Sequence, residues 1–343
     1  MLLAKSFTNH ITLLIYFFQS QNRVALGQVN ISKFMGIISF FHLLKAEQIK
    51  KADLDHIFEL ANKYQTTNRE DVLRDSGLHS KVLATLFFES STRTRFSFEA
   101  AMARLGGKVI TLEQGQASSA SKGETMSDLG IIVGGYADAI VIRHPQIGSV
   151  AEAAKFAKVP VINAGDGAGE HPTQALVDLY TIFTEKKRLN NLKIGILGDL
   201  KYGRTTNSLL SLFGEYKDNH FTLISDQFLS LTPERRERLN SYNYQFTETD
   251  NLENAIKDLD VLYVTRVQKE RFESLSEYDR VKNLYRVNKK ALLHAKSNLI
   301  IMHPLPRVSE IDPEIDFLPS AKYFKQAENS LYVRMALLTL MLK

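Results

Sequence analysis

The sequence of 343 residues contains no cysteine, and it shows neither internal repeats nor low-complexity tracts. Without cysteine the chain cannot form disulfide bonds, cysteine-based zinc sites or a thiol nucleophile, and we expect it to work in a reducing compartment, the cytoplasm. No stripe of lysine and arginine with interleaved aromatic residues is present, so nucleic acid is not indicated as a partner. No cluster of metal-ligating residues is evident either, so no metal and no cofactor are expected.

Long hydrophobic runs are also missing. Residues 11–18 are apolar but far fewer than the ~20 that a membrane helix needs, so no membrane contact is expected. A basic residue precedes this run, yet no cleavage site of small residues follows closely, as it would in a signal or transit peptide. We therefore interpret residues 1–34 as an N-terminal extension or a mis-assigned start, with the functional chain beginning near Met35.

The overall composition is that of a globular protein, with 44% hydrophobic and 24% charged residues. The length allows two domains of ordinary size, each with its own core. The net charge of +5 owes much to Lys5, Arg23 and Lys33 in the N-terminal extension, which has no acidic residue. The positive net charge therefore does not indicate what kind of molecule the protein binds.

Short runs rich in valine and isoleucine alternate with helical patterns, as in parallel sheets that are covered by helices on both faces. The predicted strands cover residues 82–88, 108–112, 139–143, 159–163, 193–197, 221–225, 261–265 and 298–302. The predicted helices cover residues 46–63, 94–105, 124–135, 173–187, 205–216, 252–259 and 329–340. The pattern predicts an α/β fold of two domains, each a mostly parallel sheet flanked by helices, with a boundary near Pro172.

The most informative motif, Ser-Thr-Arg-Thr-Arg at residues 91–95, lies between a predicted strand and a predicted helix. The first N–H groups of a helix lack intrahelical partners, and the helix dipole makes that end electropositive. Ser91, Thr92 and Thr94 add hydroxyl donors, and Arg93 adds a planar guanidinium that matches phosphate oxygens. A helix cap needs only one hydroxyl, so the motif indicates a phosphate site.

Three further arginines, Arg143, Arg204 and Arg266, follow other predicted strands. In open parallel sheets ligands bind at the carboxyl ends of the strands, so these side chains are candidate ligands of an anion. A surface ion pair of little energetic value is an equal alternative for Arg143. The glycines before Arg204 lack the G-x-G-x-x-G spacing, so a dinucleotide site is not predicted.

A second polar motif is His171-Pro172-Thr173-Gln174. Pro172 opens a helix and places His171 at its electropositive end, which favours a neutral imidazole. Gln174 carries both a donor and an acceptor, which suits an amide or carbamoyl group. The alternative is a capped loop with a packed histidine.

Two loops complete the candidate site. Ser118 and Lys122 lie in a small, polar loop that could reach an anion or could simply be a surface loop with a serine cap. Pro304 has no N–H group, so this turn offers the carbonyls of Pro304 and Leu305 as acceptors for an NH₂ group, although it could also be only a rigid turn.

Together these motifs resemble the carbamoyltransferase family. The segments 198–204 and 265–268 resemble its aspartate-specific members, and the resemblance extends from about Met35 to Lys343. It implies transfer of the carbamoyl group of carbamoyl phosphate to the amine of L-aspartate without a covalent intermediate. It also implies a domain of residues 35–172 plus 324–343 that binds carbamoyl phosphate, with the C-terminal helix returning to it, and a domain of residues 173–323 that binds aspartate.

The resemblance implies a role for each candidate residue. The phosphate would be bound by Ser91, Thr92, Arg93, Thr94 and Arg143, and the carbonyl oxygen by Thr94, Arg143 and His171. The carbamoyl NH₂ would be bound by Gln174 and by the carbonyls of Pro304 and Leu305. Aspartate would be bound by Arg204, Arg266 and Gln268, together with Leu305 and Lys122. Ser118 and Lys122 would come from the neighbouring subunit of a homotrimer with shared active sites.

There are two alternatives, a close rival within the same family and a function of another class. An ornithine-specific relative would usually carry cysteine where this chain has Pro304, and it would need one arginine fewer for a substrate with one carboxylate. A catalytically silent homologue that serves as an assembly partner would show damage among the contact residues, and none is evident. Regulatory chains or a dihydroorotase are possible further partners.

Overall fold

The computed structural model of the chain describes residues 38–113, 123–242, 244–267, 272, 274–282 and 284–343. Over these residues the strands form two parallel sheets. The first sheet has the order β2-β1-β3-β4 and consists of β1 (Val82–Phe87), β2 (Lys108–Glu113), β3 (Ala139–His144) and β4 (Val161–Asp166). The second sheet has the order β7-β6-β5-β8-β9 and consists of β5 (Lys193–Leu197), β6 (His220–Ile224), β7 (Gln245–Thr249), β8 (Val261–Val264) and β9 (Ile300–Met302).

Helices connect the strands, as parallel pairing requires. The α-helices are α1 (Lys51–Thr66), α2 (Arg69–Asp75), α3 (Thr92–Arg104), α4 (Met126–Gly134), α5 (Ser149–Ala154), α6 (Pro172–Lys186), α7 (Arg204–Phe213), α8 (Pro233–Asn240), α9 (Leu252–Ala255), α10 (Leu275–Val281) and α11 (Tyr323–Leu342). Short 3₁₀ turns occupy Ala46–Gln48, Ile256–Asp258 and Pro313–Phe317. None of the helices in the described part of the chain is both long enough and apolar enough to cross a lipid bilayer.

In the first sheet β1, β3 and β4 are buried on both faces, whereas the edge strand β2 is mostly exposed. Leu83 and Val141 point into a core that α11 also joins, whereas Ala84 and Ile140 point into a second core with residues of α4 and α5. Strands that are covered on both faces consist of near-continuous apolar runs, and the sequence analysis could therefore predict them. The α11 helix packs against α1, α3 and α6. The predicted α/β fold with its returning C-terminal helix is therefore confirmed.

The eight predicted strands are all present, with ends shifted by a few residues. The sequence analysis missed β7, because this edge strand of polar residues is mostly exposed and lacks the apolar run of its neighbours. It also missed four short helices, α2, α5, α8 and α10. The predicted helix at residues 46–63 is a 3₁₀ turn followed by α1, and α11 begins at Tyr323 rather than at residue 329.

Each sheet has a point at which the strand order reverses. The first sheet reverses between β1 and β3, and the second reverses between β5 and β8. Loops that leave such strands in opposite directions open a crevice at the carboxyl edge of the sheet. Arg143 lies near the carboxyl end of β3, and the segments that follow β1, β5 and β8 contain Arg93, Arg204 and Arg266.

Candidate active site

The phosphate motif forms the N-terminal end of α3. The helix begins at Thr92, two residues earlier than the sequence pattern indicated, so Arg93 and Thr94 lie in its first turn. Ser91 is the N-cap residue, yet its side chain makes no capping hydrogen bond to the described backbone. Thr94 is buried, whereas Thr92 and Arg93 are exposed. The unused helix N–H groups and hydroxyls leave this end with the donors that an anion needs.

Arg93 lies close enough to Arg266 for their charges to interact. Partial burial, and then the positive charge of Arg266, lower the pKa of the Arg93 guanidinium. Arg93 follows β1 of the first sheet and Arg266 follows β8 of the second. The structure thus brings together two arginines that the sequence analysis assigned to different substrates, and their repulsion favours an anion between them.

Arg143 and Arg204 form a second pair beside the backbone of Gly165. A Cβ atom on Gly165 would lie 3.2 Å from Nη1 of Arg143 and 3.3 Å from Nη1 of Arg204, and its φ of +120° also requires glycine. Arg143 Nη1 donates to the carbonyl of Ala164 at 3.3 Å, and Arg204 Nη1 donates to the carbonyl of Gly167 at 2.7 Å. Both arginines are buried, with 8% and 7% of their surface exposed.

Glu89 joins these two arginines, and the sequence analysis missed it. Its Oε1 accepts from Arg204 Nη2 at 3.0 Å and also from Arg143 Nη2. Burial acts to raise the pKa of Glu89, but the hydrogen bond from Arg204 and the charges of both arginines outweigh it, and the pKa lies below its usual value. The arginines therefore already hold one carboxylate. A signal was present, because Glu89 directly precedes the serines of the phosphate motif.

His171 is fully enclosed behind the arginines. Burial, followed by the positive charges of Arg204, Arg143 and Arg334, lowers the pKa of its imidazole well below 6.5. The expected neutral ring is confirmed, although burial and neighbouring charge are its causes rather than the helix end alone. The His171 N–H donates to Ser208 Oγ at 2.9 Å, which fixes the residue at the start of α6.

The turn after β9 is held by His303. Its Nδ1 accepts from the N–H of Leu305 at 2.7 Å, so Nε2 carries the proton and donates to Glu310 Oε1 at 2.7 Å. Leu305 has a φ of 55°, a conformation that few residues other than glycine adopt. Pro304 and Leu305 are both half-buried at the carboxyl end of the strand. Gln174, on the first turn of α6, donates through Nε2 to Asp178 Oδ1 at 2.7 Å.

Three predicted site residues, Ser118, Lys122 and Gln268, lie outside the described residues. The others follow strands of the two sheets at their carboxyl ends or begin the helices there. Arg93 interacts with Arg266, His171 interacts with Arg143 and Arg204, and the charge of Arg266 also acts on His303. The arrangement can bind more than one anionic group and can direct donors at a neutral ligand atom.

Replacing Glu89 with glutamine tests whether the arginine pair depends on a carboxylate. A depressed pKa means that the ionised form stabilises the fold above the unfolded value of 4.5, and that this stability is lost as the pH falls through the lower folded value. We expect Glu89→Gln to lower the free energy of unfolding at pH 7 by about 1–3 kcal/mol, with the difference from the parent protein shrinking between pH 5 and pH 3.

Urea unfolding at several pH values and one protein concentration measures this difference. Glu237→Gln, at an exposed position of α8, is the matched control and should change stability little at any pH. A Glu89→Gln variant that matches the parent at pH 7, or that differs from it equally at pH 3, would contradict the assignment.

Comparison with known proteins gives a consistent result along the chain. Residues 42–184 match the model of the aspartate/ornithine carbamoyltransferase carbamoyl-P binding domain, and residues 190–341 match that of the Asp/Orn binding domain. The aspartate carbamoyltransferase catalytic subunit of Clostridium kluyveri is 48% identical over 297 residues, which are 87% of this chain and 96% of the relative.

Solved structures agree. The catalytic subunit of M. jannaschii aspartate transcarbamoylase has a TM-score of 0.78 at 44% identity, covering 88% of this chain and 98% of that one. Aspartate transcarbamoylase from Trypanosoma cruzi, in complex with N-(phosphonacetyl)-L-aspartic acid, has a TM-score of 0.80 at 34% identity, covering 90% and 97%. The chain therefore belongs to the aspartate/ornithine carbamoyltransferase family.

Proposed function

We propose that the chain transfers the carbamoyl group of carbamoyl phosphate to the amine of L-aspartate, giving N-carbamoyl-L-aspartate and phosphate, as a step of pyrimidine synthesis. The observation that carries the proposal is the pairing of arginines from the two sheets, Arg93 with Arg266 and Arg143 with Arg204, the second pair lying beside a neutral buried His171. Four arginines supply the positive charge that a doubly charged phosphate and a dicarboxylate need. The relatives named above are aspartate enzymes, which supports aspartate as the acceptor.

The first substrate would bind at the start of α3. The phosphate of carbamoyl phosphate accepts hydrogen bonds from Ser91, Thr92, Arg93 and Thr94, with Arg143 on its other side. Guanidinium groups and helix N–H groups hold phosphate oxygens strongly because the hydrogen bonds are charge-assisted. Ser118 and Lys122 would add donors from a neighbouring subunit.

The carbonyl oxygen of the donor would lie against Thr94, Arg143 and His171. This oxygen gains negative charge when the aspartate amine attacks the carbonyl carbon, so donors aimed at it stabilise the transition state more than the ground state. One such donor is typically worth ~3 kcal/mol. A neutral His171 can donate one hydrogen bond without adding a further positive charge beside three arginines.

The second substrate would bind through its two carboxylates. Arg204 and Arg266, with Gln268, Leu305 and Lys122, would hold them so that the amine points at the carbonyl carbon. Arg204 already donates a hydrogen bond to the carboxylate of Glu89, so its guanidinium is positioned to bind a carboxylate. The departing phosphate can take the amine proton, so the chain needs no separate general base.

We also propose a division into a carbamoyl-phosphate domain of residues 35–172 plus 324–343 and an aspartate domain of residues 173–323. The crevice lies where the carboxyl edges of the two sheets supply residues to one site. We place the enzyme in the cytoplasm as a homotrimer, with each active site completed by the neighbouring subunit. Residues 1–34 are proposed to be an extension that the reaction does not need.

Replacing Arg93 with alanine tests the donor site. We expect kcat/KM for carbamoyl phosphate and aspartate to fall by at least about 10²-fold, because a charge-assisted contact to the leaving phosphate is lost. Arg104→Ala, exposed at the C-terminal end of the same helix, is the matched control and should retain activity. The parent protein should carbamoylate aspartate and leave ornithine unchanged.

Turnover of ornithine in preference to aspartate would contradict the proposed acceptor. Normal kcat/KM in the Arg93→Ala variant would contradict the phosphate site. Absence of turnover by the parent protein with either amine, while both substrates still bind, would favour the silent homologue.

Mixing two inactive variants tests the shared site. A homotrimer of Lys122→Ala subunits and one of Arg93→Ala subunits each lack one contribution at every active site. After subunit exchange in equal amounts, about a quarter of the sites would contain both parent residues, so activity should return to about a quarter of the parent value. Each variant exchanged with itself is the control. No recovery after mass spectrometry has verified the exchange would contradict an intersubunit site.

A further inference from the structure

One buried carboxylate lies directly behind the proposed carbamoyl site. Asp178 is on α6, one turn after Gln174, and its surface is fully covered. Its Oδ1 accepts from Gln174 Nε2 at 2.7 Å and from Gln326 Nε2 at 2.6 Å, and its Oδ2 accepts from Tyr263 Oη at 2.7 Å. The residue thus joins α6, β8 and α11 at a single side chain.

The carboxylate fixes which way the Gln174 amide faces. An ionised carboxylate only accepts hydrogen bonds, so the nitrogen of each neighbouring amide must turn toward Asp178. The oxygen of Gln174 then forms the other end of the side chain, and it accepts no hydrogen bond from any residue that the structure describes. An apolar residue in place of Asp178 would accept from neither amide and would leave this orientation open.

Gln326 carries the same constraint to the second half of the carbamoyl site. Its Nε2 is held by Asp178, and its Oε1 therefore faces the other way, where it accepts from the N–H of His303 at 2.9 Å. His303 begins the turn that contains Pro304 and Leu305. One carboxylate consequently orients the Gln174 oxygen directly and the turn with its two carbonyls through a single intermediate residue.

The buried surroundings of Asp178 disfavour its ionised form. Burial raises the pKa of Asp178 to about 6, even though hydrogen bonds from Tyr263, Gln174 and Gln326 lower it. The buried Arg334 provides a nearby positive charge, but it donates its hydrogen bond to Ser97 Oγ rather than to Asp178. A buried acid without a directly bonded cation is expensive, and stability alone does not explain it.

We propose that Asp178 is a positioning residue that makes the site select an NH₂ group on the acyl carbon of the donor. By holding Gln174 and the turn after β9, it presents acceptors where a carbamoyl group has N–H donors and an acetyl group has none. The inference rests on the proposed function, and it extends that function to discrimination between acyl phosphates. Asp178 touches neither substrate in this account.

The test compares three ligands by calorimetry: carbamoyl phosphate, acetyl phosphate and inorganic phosphate. Acetyl phosphate differs from carbamoyl phosphate in having CH₃ in place of NH₂, and inorganic phosphate probes the phosphate site alone. The measured quantity is the ratio of the dissociation constants of acetyl phosphate and carbamoyl phosphate. In the Asp178→Ala variant we expect this ratio to fall about tenfold, as for the loss of one hydrogen bond, while phosphate binding changes less than about twofold.

Two further variants separate positioning from folding. Tyr263→Phe removes a hydrogen bond to the same carboxylate without freeing either amide, so it should lower stability and leave the ratio unchanged. Asp178→Asn can still accept from both amides while its NH₂ group donates to Tyr263 Oη, so it should restore most of the ratio.

The outcomes are distinct. Equal weakening of all three ligands in Asp178→Ala, or a ratio equal to that of the parent, would overturn the inference. If that variant does not fold, Gln326→Met decides, because it breaks only the link to the turn and should lower the ratio without weakening phosphate. A parent protein that binds carbamoyl phosphate no better than acetyl phosphate would instead refute the proposed function itself.

Discussion

Positive charge concentrated at the carboxyl edges of two parallel sheets is the constraint on which the rest of this structure depends. Arg143 and Arg204 share the carboxylate of Glu89, while Arg93 and Arg266 interact with each other. Guanidinium groups remain charged in proteins, so like charges this close can be relieved only by anions or by separation. Burial, and then the positive charges of Arg204 and Arg143, keep His171 neutral. The arginines that would bind anions therefore also contribute to the protonation state of the histidine.

The fold explains why these charges meet. Each arginine lies at the carboxyl end of a strand, follows a strand or begins a helix there, near the points where the strand order reverses. Buried strands and helices support the loops, so side chains distant in sequence are held in fixed positions. The α11 helix closes the arrangement by packing on α1, α3 and α6, and through Gln326 it also reaches the turn after β9. The proposed reaction needs this kind of positioning, because it uses no covalent intermediate.

Much of this organisation was predictable from the sequence, and the failures have physical causes. Apolar strands such as β1 and β5 are buried on both faces and were predicted from their apolar runs, whereas the polar edge strand β7 was missed. The arginines were recognisable because each follows a strand. Glu89 was missed although it directly precedes the serines of the phosphate motif, and Asp178 gave no signal, because the importance of a carboxylate depends on which donors the fold brings to it. The resemblance to a known family supplied roles for residues, which strand patterns alone do not.

The crystal structure of a complex with N-(phosphonacetyl)-L-aspartic acid tests the central claim most directly, since this molecule joins a phosphonate to an aspartate. The account predicts the phosphonate at the start of α3, within hydrogen-bond distance of Arg93 and Arg143. It predicts the two aspartate carboxylates on Arg204 and Arg266, and the amide carbonyl beside His171. A complex in which the compound contacts only one of the two arginine pairs, or binds away from the carboxyl edges of the sheets, would contradict it.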